Sequence, residues 1–392
     1  MEPILIIGIV VALLFNFLNG LHDAANSIST IVATRVLTPL QAVSLAAFFN
    51  LIGPLFFTTA IAKTIGKGII VPGWMTIDVM IIGILVASFW IYFTAYVGIP
   101  ISSTHAMIGG LIGAAVAFGG PSVVILPTLD LIRGLIWYGV GGIIAGACIL
   151  TLIAYLKKED NLLQYTGIGA YFGFVFAIPI SIALHALTLS GIVSIILFIM
   201  ISPSLGLALA FIFGCLIIRI CRNKDHKKMN HLFNRLQIIS SAFYSIGHGS
   251  NDAQHAMGVI TAMLVTAGVL SDFSVPLWVI LLSSAAISVG TLTGGWRIVQ
   301  TMAKRITHLR PYQGFCAEAG GGLVLLLVTL FGVPVSSTHA ISGCIMGVGA
   351  TQGSSAVNWG MVRQIVTAWV ITIPLTAVFS WIVFCVFLKI WG

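Results

Sequence analysis

Two stretches of this sequence hold the residues best suited to chemistry. One reads G-I-P-I-S-S-T-H-A-M-I-G-G-L-I-G over Gly98–Gly113, and the other G-V-P-V-S-S-T-H-A-I-S-G-C-I-M-G over Gly332–Gly347. Pro100 matches Pro334, Thr104 matches Thr338, His105 matches His339 and Gly109 matches Gly343 without a gap. Each copy follows an apolar run and breaks at its proline. Ser102, Ser103 and Thr104, or Ser336, Ser337 and Thr338, then open the next apolar run. Hydroxyls in that position cap helices, because their oxygens satisfy backbone N–H groups that lack a partner. Inside a membrane the positive end of such a half-helix faces whatever lies beside it, and pairs of them form anion sites.

Three carboxylates fall within apolar surroundings. Asp23 lies in Asn19-Gly-Leu-His-Asp-Ala-Ala-Asn26, Asp252 in Ile246-Gly-His-Gly-Ser-Asn-Asp-Ala-Gln-His255, and Glu318 in Gly314-Phe-Cys-Ala-Glu-Ala-Gly-Gly-Gly322. Acids at bilayer depth are costly, and they are functional candidates for that reason. Asp23 and Asp252 occupy matching places in an internal repeat, each with asparagine nearby, whereas Glu318 has no counterpart near Gly83–Ile84. Carboxylate, amide oxygen, hydroxyl and backbone carbonyl together make the ligand set of a hard cation. No lysine or arginine occurs in Asn19–Thr34, Gly98–Gly120, Ile246–Thr266 or Gly332–Ala350. An anion held by two helix ends, each worth about half a positive charge, would face these acids unaided. Cations must bind with it, which favours symport over a bare anion channel. His22, His105, His248, His255 and His339 are the other donors. The expected role of His105 and His339 is to anchor helices by hydrogen bonding, with a proton relay as the lesser reading.

The elements that position these residues are transmembrane helices. Of 392 residues 59% are hydrophobic and 7% charged, where a soluble domain carries about a quarter charged. Apolar runs long enough to cross a bilayer recur throughout, without the alternation of a transmembrane β-barrel. The chain therefore reads as an all-α polytopic membrane protein of about 10–12 transmembrane segments. Its two S-S-T-H stretches are expected to form broken or re-entrant helical hairpins. The net charge of +8 sits between apolar spans, where it sets topology; nucleic acid is not an expected partner. The six cysteines are scattered without C-x-x-C and suit apolar packing. Met1-Glu2-Pro3 lacks the features of a cleaved leader. Glycine pairs such as Gly109/Gly113 and Gly343/Gly347 suit close helix packing.

In chain order, spans are expected at Ile4–Leu18, about Ala42–Ala62, Val79–Tyr96, Gly167–Leu189 and Ser204–Ile220, with an interruption at Ser202-Pro203. Arg219–Arg235 is strongly polar and reads as a solvated basic linker on the cytoplasmic side. Thr64 against Thr301 supports the repeat. Glu2 precedes and Arg35 follows the first Asp motif, while the basic linker precedes and Asp272 follows the second. The two copies therefore run in opposite directions. Lys304, Arg305 and Arg310 agree with this scheme, and Lys63 and Lys67 run against it. Residues 1–158 make a first repeat, 159–236 bridging helices with the linker, and 237–392 a second, inverted repeat.

Enzyme motifs are missing: there is no H-E-x-x-H, G-x-S-x-G, Walker A or G-x-G-x-x-G. Serine beside histidine in S-S-T-H leaves an intramembrane hydrolase as a distant alternative, but capping explains both copies more simply.

Over essentially its whole length the chain resembles the inorganic phosphate transporter (PiT) family. The resemblance rests on Asn19–Asn26, Gly249-Ser-Asn-Asp-Ala-Gln254, both P-x-S-S-T-H segments, and Gly294-Gly-Trp-Arg297 with Gly314–Glu318. It implies uptake of inorganic phosphate with sodium or protons, no other cofactor, an inverted repeat and both termini outside the cell (inner) membrane. It also implies that Ser102–Thr104 and Ser336–Thr338 hold phosphate with Gln254 adjacent. Asp23, Asn26, Asn251, Asp252 and Glu318 would hold or couple to cations, the first four as sodium ligands. Asn50 departs from a glutamate in animal relatives, and His255 from a lysine in many bacterial ones. Some relatives carry sulfate, so a sulfate symporter on the same scaffold is the alternative. Expected partners are phosphate, the coupled ion and lipid, and a homodimer is compatible with the sequence.

Overall fold

A computed structural model describes residues 3–187 and 191–391. Glu2, used in the charge comparison, and Leu189, the expected end of a span, lie outside them. The described residues form fourteen α-helices and no strand beyond one isolated bridge, Ile70 with Val124. In order they are α1 (Pro3–Ala33), α2 (Pro39–Ile52), α3 (Ala60–Lys67), α4 (Ile77–Val97), α5 (Ser103–Gly119), α6 (Leu129–Leu156) and α7 (Leu162–Ala183). Then follow α8 (Gly191–Cys221), α9 (His226–Thr266), α10 (Leu277–Thr293), α11 (Trp296–Arg305), α12 (Pro311–Leu330), α13 (Ser337–Ala350) and α14 (Trp359–Trp391). By length and composition seven described helices can cross a membrane, or nine if each bent pair counts as one span.

Local chemistry accounts for the boundaries. Thr38 caps α2 in a reciprocal pair with Gln41, ahead of Pro39. Gly98 closes α4 with φ +83°, and Gly332 follows α12 with φ +67°, a conformation other residues adopt at a cost. Each of these glycines admits the turn that delivers a proline and then a hydroxyl tip.

Three sequence expectations change. The span expected at about Ala42–Ala62 is a bent pair: α2, prolonged through Leu55, and α3 meet at 78° across Phe56–Thr59, and α10 and α11 meet at 68° around Gly294-Gly295. The interruption at Ser202-Pro203 does not occur, because α8 runs through Pro203 as one helix. The basic linker is mostly not a loop. Only Arg222–Asp225 separates α8 from α9, and Asp225 caps α9 by accepting from Lys227 N at 2.8 Å. The polar stretches around Asp23 and Asp252 are unbroken helix.

Contacts between the parts come in matched pairs. Gly20 of α1 lies against the Ile287 carbonyl of α10, and Gly249 of α9 against that of Asn50 in α2. Gly53 lies against Ile246, and Gly290 against Phe17. Gly109 and Gly113 of α5 abut Ile373 and Ala377 of α14; Gly343 and Gly347 of α13 abut Pro203 and Leu207 of α8. Thr64 donates to the Gly332 carbonyl at 2.7 Å, and Thr301 to that of Gly98 at 2.9 Å. The lone α6–α7 pair packs through Gly142, Gly146, Gly169 and Gly173, and α6 leaves Trp137, Ile149 and Leu152 exposed, as a lipid-facing helix does.

These close approaches make a prediction. A methyl at Gly343 would collide with the Pro203 backbone, whereas Gly141 has nothing within 4 Å. Gly343→Ala is expected to destabilise the fold by about 1–3 kcal/mol, the usual cost of overpacking. Gly141→Ala should leave the thermal unfolding midpoint unchanged or raised.

Candidate functional site

The site forms where α1 and α9 pass the tips of α5 and α13. Ser102 caps α5 by accepting from His105 N at 3.1 Å, and Ser336 caps α13 by accepting from His339 N at 3.2 Å. Those two hydroxyls are committed to their own helices. The next pairs, Ser103–Thr104 and Ser337–Thr338, turn inward, and the backbone N–H groups of the first turn have no acceptor within the helix.

The tips meet over the two aspartates. Ser103 Oγ donates to Asp23 Oδ2 at 2.9 Å, and Ser337 Oγ donates to Asp252 Oδ2 at 3.1 Å. Ser337 also reaches Asp23 Oδ2 at 3.4 Å, and Thr338 reaches Asp23 Oδ1 at 3.3 Å. Across the halves the contacts exchange. Asn26 of α1 donates to Thr338 Oγ1 at 2.9 Å, while His255 of α9 meets Thr104 Oγ1 at 3.3 Å. Beside the acids, His22 Nδ1 lies 2.6 Å from Asp23 Oδ1 and Asn251 donates to Asp252 Oδ1 at 2.6 Å. Asn251 also ties the second tip, donating to the Val335 carbonyl at 3.0 Å. All of these side chains are buried.

The donor set suits a cation. Ligand atoms of Asp23, His248 and Asp252 lie within 4.8 Å of one another. His248 Nε2 is 3.2 Å from Asp252 Oδ2. The amide oxygens of Asn26, Asn251 and Asn19 are buried and accept no hydrogen bond. Buried amide oxygens normally find a donor; these, lacking one, are of the kind that ligate a hard cation. Among the described residues no lysine or arginine hydrogen-bonds to either aspartate.

Other expected residues lie elsewhere. Glu318 accepts from Thr30 at 2.5 Å, Ser240 at 2.6 Å and Gln237 at 3.3 Å, and makes no bond to the tips. Thr30 is two turns beyond Asp23 on α1, about 10 Å along the axis, so Glu318 belongs to a second polar cluster. Gln254 is occupied with α3: its Oε1 accepts from Ala62 N at 3.1 Å and its Nε2 donates to the Ser250 carbonyl at 2.8 Å. His105 and His339 also engage each other and Trp369 through their rings. Their rings meet edge-on at 4.8 Å, and His339 stacks on Trp369 at 3.8 Å. Sequence reasoning passed over His248 as a cation ligand, and its i, i+4 spacing from Asp252 was the signal. Asn50, one of the two departures, donates to Thr291 at 3.0 Å and meets His248 Nδ1 at 3.1 Å, so it orients that imidazole.

Comparison with known proteins agrees with this geometry. The model of the phosphate transporter family matches residues 19–380. A "Probable low-affinity inorganic phosphate transporter" of Rhizobium meliloti is 43% identical over 379 residues, covering 96% of this chain and 95% of that protein. One of Bacillus subtilis with the same description is 34% identical over 385 residues, covering 96% of each. A solved structure described as "The sodium-dependent phosphate transporter" superposes with a TM-score of 0.70 at 27% identity, over 100% of both chains. With both tips and both aspartates inside the matched span, the chain belongs to the phosphate transporter family.

Proposed function

We propose that the protein is a sodium-coupled phosphate symporter that binds phosphate between the tips of α5 and α13 and works by alternating access of two inverted halves. The observation that carries this reading is the convergence of Ser103 and Ser337, from opposite tips, on one carboxylate oxygen of Asp23. Ser103, Thr104, Ser337 and Thr338, with the first-turn N–H groups, are the phosphate ligands; Ser102 and Ser336 act through their caps. Asp23, Asn26, Asn251, Asp252 and His248 hold the cations, with Glu318 in its own cluster coupling to them. The reciprocal contacts between α1, α2, α9 and α10 support the inverted repeat. The neighbour described as sodium-dependent and the oxygen-rich donor set support sodium.

Coupling follows from proton count. A hydroxyl has one hydrogen, so a serine donating to an aspartate cannot donate to phosphate as well. A cation that takes over the carboxylates releases these hydroxyls to turn toward the anion. Cation and phosphate then raise each other's affinity, as linkage requires. Neither is carried efficiently alone, because a lone anion would face two buried acids and a lone cation would leave the tips without an acceptor.

Proteoliposomes with separately imposed gradients test the reading. Phosphate uptake is expected under an inward sodium gradient, with sulfate in excess competing weakly. Uptake driven only by a proton gradient would transfer coupling to the His22–Asp23 and His248–Asp252 pairs, and stronger competition by sulfate would change the substrate.

Two substitutions probe the parts. Asp23→Asn or Asp252→Asn is expected to reduce sodium-driven uptake by about two orders of magnitude or more, since breaking a buried charged pairing costs about 3–5 kcal/mol. The variants should still insert and elute as the wild type does. Thr104→Ala with Thr338→Ala is expected to weaken phosphate affinity by about tenfold or more, at about 1 kcal/mol per lost hydrogen bond. Sodium binding without phosphate should change less; an unchanged phosphate affinity would move the anion site away from the tips.

A further inference from the structure

Away from the aspartates, a second cavity of about 600 Å³ opens where the end of α8 meets the starts of α9 and α12. Arg222, His226 and Arg310 line it together with the apolar Ile217, Ile218 and Phe233. Its volume falls in the range of small-molecule sites, about 300–1,000 Å³. Arg222 and His226 of the basic stretch thus share a single hollow with Arg310.

Three observations give this hollow a sign. Among the described residues neither Arg222 nor Arg310 has a carboxylate within 4.0 Å. Asp225, the acid nearest in sequence, is committed to capping α9. Two helices also begin here, α9 at His226 and α12 at Pro311, and each brings the positive end of its dipole. The apolar wall separates lipid from a soluble anion. Ile218 of that lining is exposed near the end of a membrane-length helix, and Leu216 and Ile220 are exposed on the other side of the same turn. A free anion has no use for such a wall, whereas an acyl chain does.

We infer that this cavity is a binding site for an anionic phospholipid, with its phosphate between Arg222 and Arg310 and an acyl chain along Ile217 and Ile218. Basic pockets between transmembrane helices at the membrane surface recognise headgroups of this kind, and arginine suits phosphate through its paired donors. Occupancy joins the starts of α9 and α12, and so bears on the second polar cluster. Phe233 packs on Tyr312 at 6.2 Å and on Phe315 at 5.7 Å between ring centres. One turn along α9, Gln237 reaches both Glu318 and Thr34. The site depends neither on which cation is coupled nor on which side of the membrane it faces.

The test is a lipid titration of the purified full-length protein in neutral detergent, read by native mass spectrometry and by thermal unfolding. Phosphatidylglycerol is expected to bind and stabilise more strongly than phosphatidylcholine. Arg222→Gln with Arg310→Gln should weaken phosphatidylglycerol binding by about tenfold or more and remove the preference. Lys227→Gln with Lys228→Gln removes the same charge from positions outside the cavity and should keep it. If the arginine double variant does not fold, Arg222→Gln alone, in the exposed α8–α9 turn, should weaken binding by about threefold or more. Equal binding of the two lipids by the wild type overturns the inference, as does loss of the preference in the lysine variant. Arginine-dependent stabilisation by inorganic phosphate in place of phosphatidylglycerol would reassign the cavity to a free anion.

Discussion

Two buried carboxylates set the terms for the rest of this structure. Atoms of Asp23 and Asp252 lie within 4.8 Å of each other. At that separation two unit charges repel by on the order of 3 kcal/mol, even with an effective dielectric constant of about 20. Removing each from water adds several kcal/mol more. The compensation at hand consists of hydroxyl donors, the Asn251 amide and the His22 and His248 rings, hydrogen bonds worth about 1.5–3 kcal/mol each toward a charged group, and two helix ends worth about half a charge apiece. Hydroxyls and dipoles can hold such a pair, but they do not neutralise it. In the proposed symport, a site in that condition gains more from a cation than from any further hydrogen bond, and it takes up an anion only together with the cation.

The fold serves to keep that balance poised. The tips of α5 and α13 must lie beside the acids, so their helices must be short and firmly seated. Glycines at Gly109, Gly113, Gly343 and Gly347 let α14 and α8 press against them with backbone in contact. The partner helix comes from the other end of the chain in one case and from the middle in the other, yet the contacts are the same. Thr64 and Thr301 hold the turns leading into the tips through the Gly332 and Gly98 carbonyls. Each latch joins the bent pair of one half to the hairpin of the other.

Much of this was legible in the sequence. Aspartate, asparagine and hydroxyl residues stand out against an apolar background, and their duplication removed most alternatives. The caps at Ser102 and Ser336 followed from the same pattern. What could not be read was pairing across the halves. Asn26 with Thr338 and His255 with Thr104 depend on how α1 and α9 cross, which no spacing encodes. Gln254 looked like a ligand by adjacency, but on a helix the neighbour of a functional residue points about 100° away, and here it points at α3. The bend at Gly294-Gly295 carried a turn signal, and the one at Phe56–Thr59 comes just after Gly53-Pro54; apolar flanks long enough to cross a membrane as one span obscured both. The start of α9 was polar enough to pass for a loop, although Asp225 was in place as its cap.

The differences between the halves are as instructive as the matches. Under the alignment of Gly20 with Gly249, His248 stands opposite Asn19, His255 opposite Asn26, and Gln254 opposite Ala25. The hydroxyl tips are unchanged between copies. In the proposed cycle phosphate meets the same pair of tips whichever side is open, so its ligands must serve both directions and gain nothing from divergence. The cations need no such symmetry. Each aspartate has a histidine and an asparagine near it, but drawn from different positions, His22 and Asn26 at Asp23 and His248 and Asn251 at Asp252, which makes two unlike environments from one repeat. Glu318, present in one half alone, adds a third. On the proposed reading, duplication supplies the frame for the anion, and divergence within it supplies distinct places for the ions that accompany it.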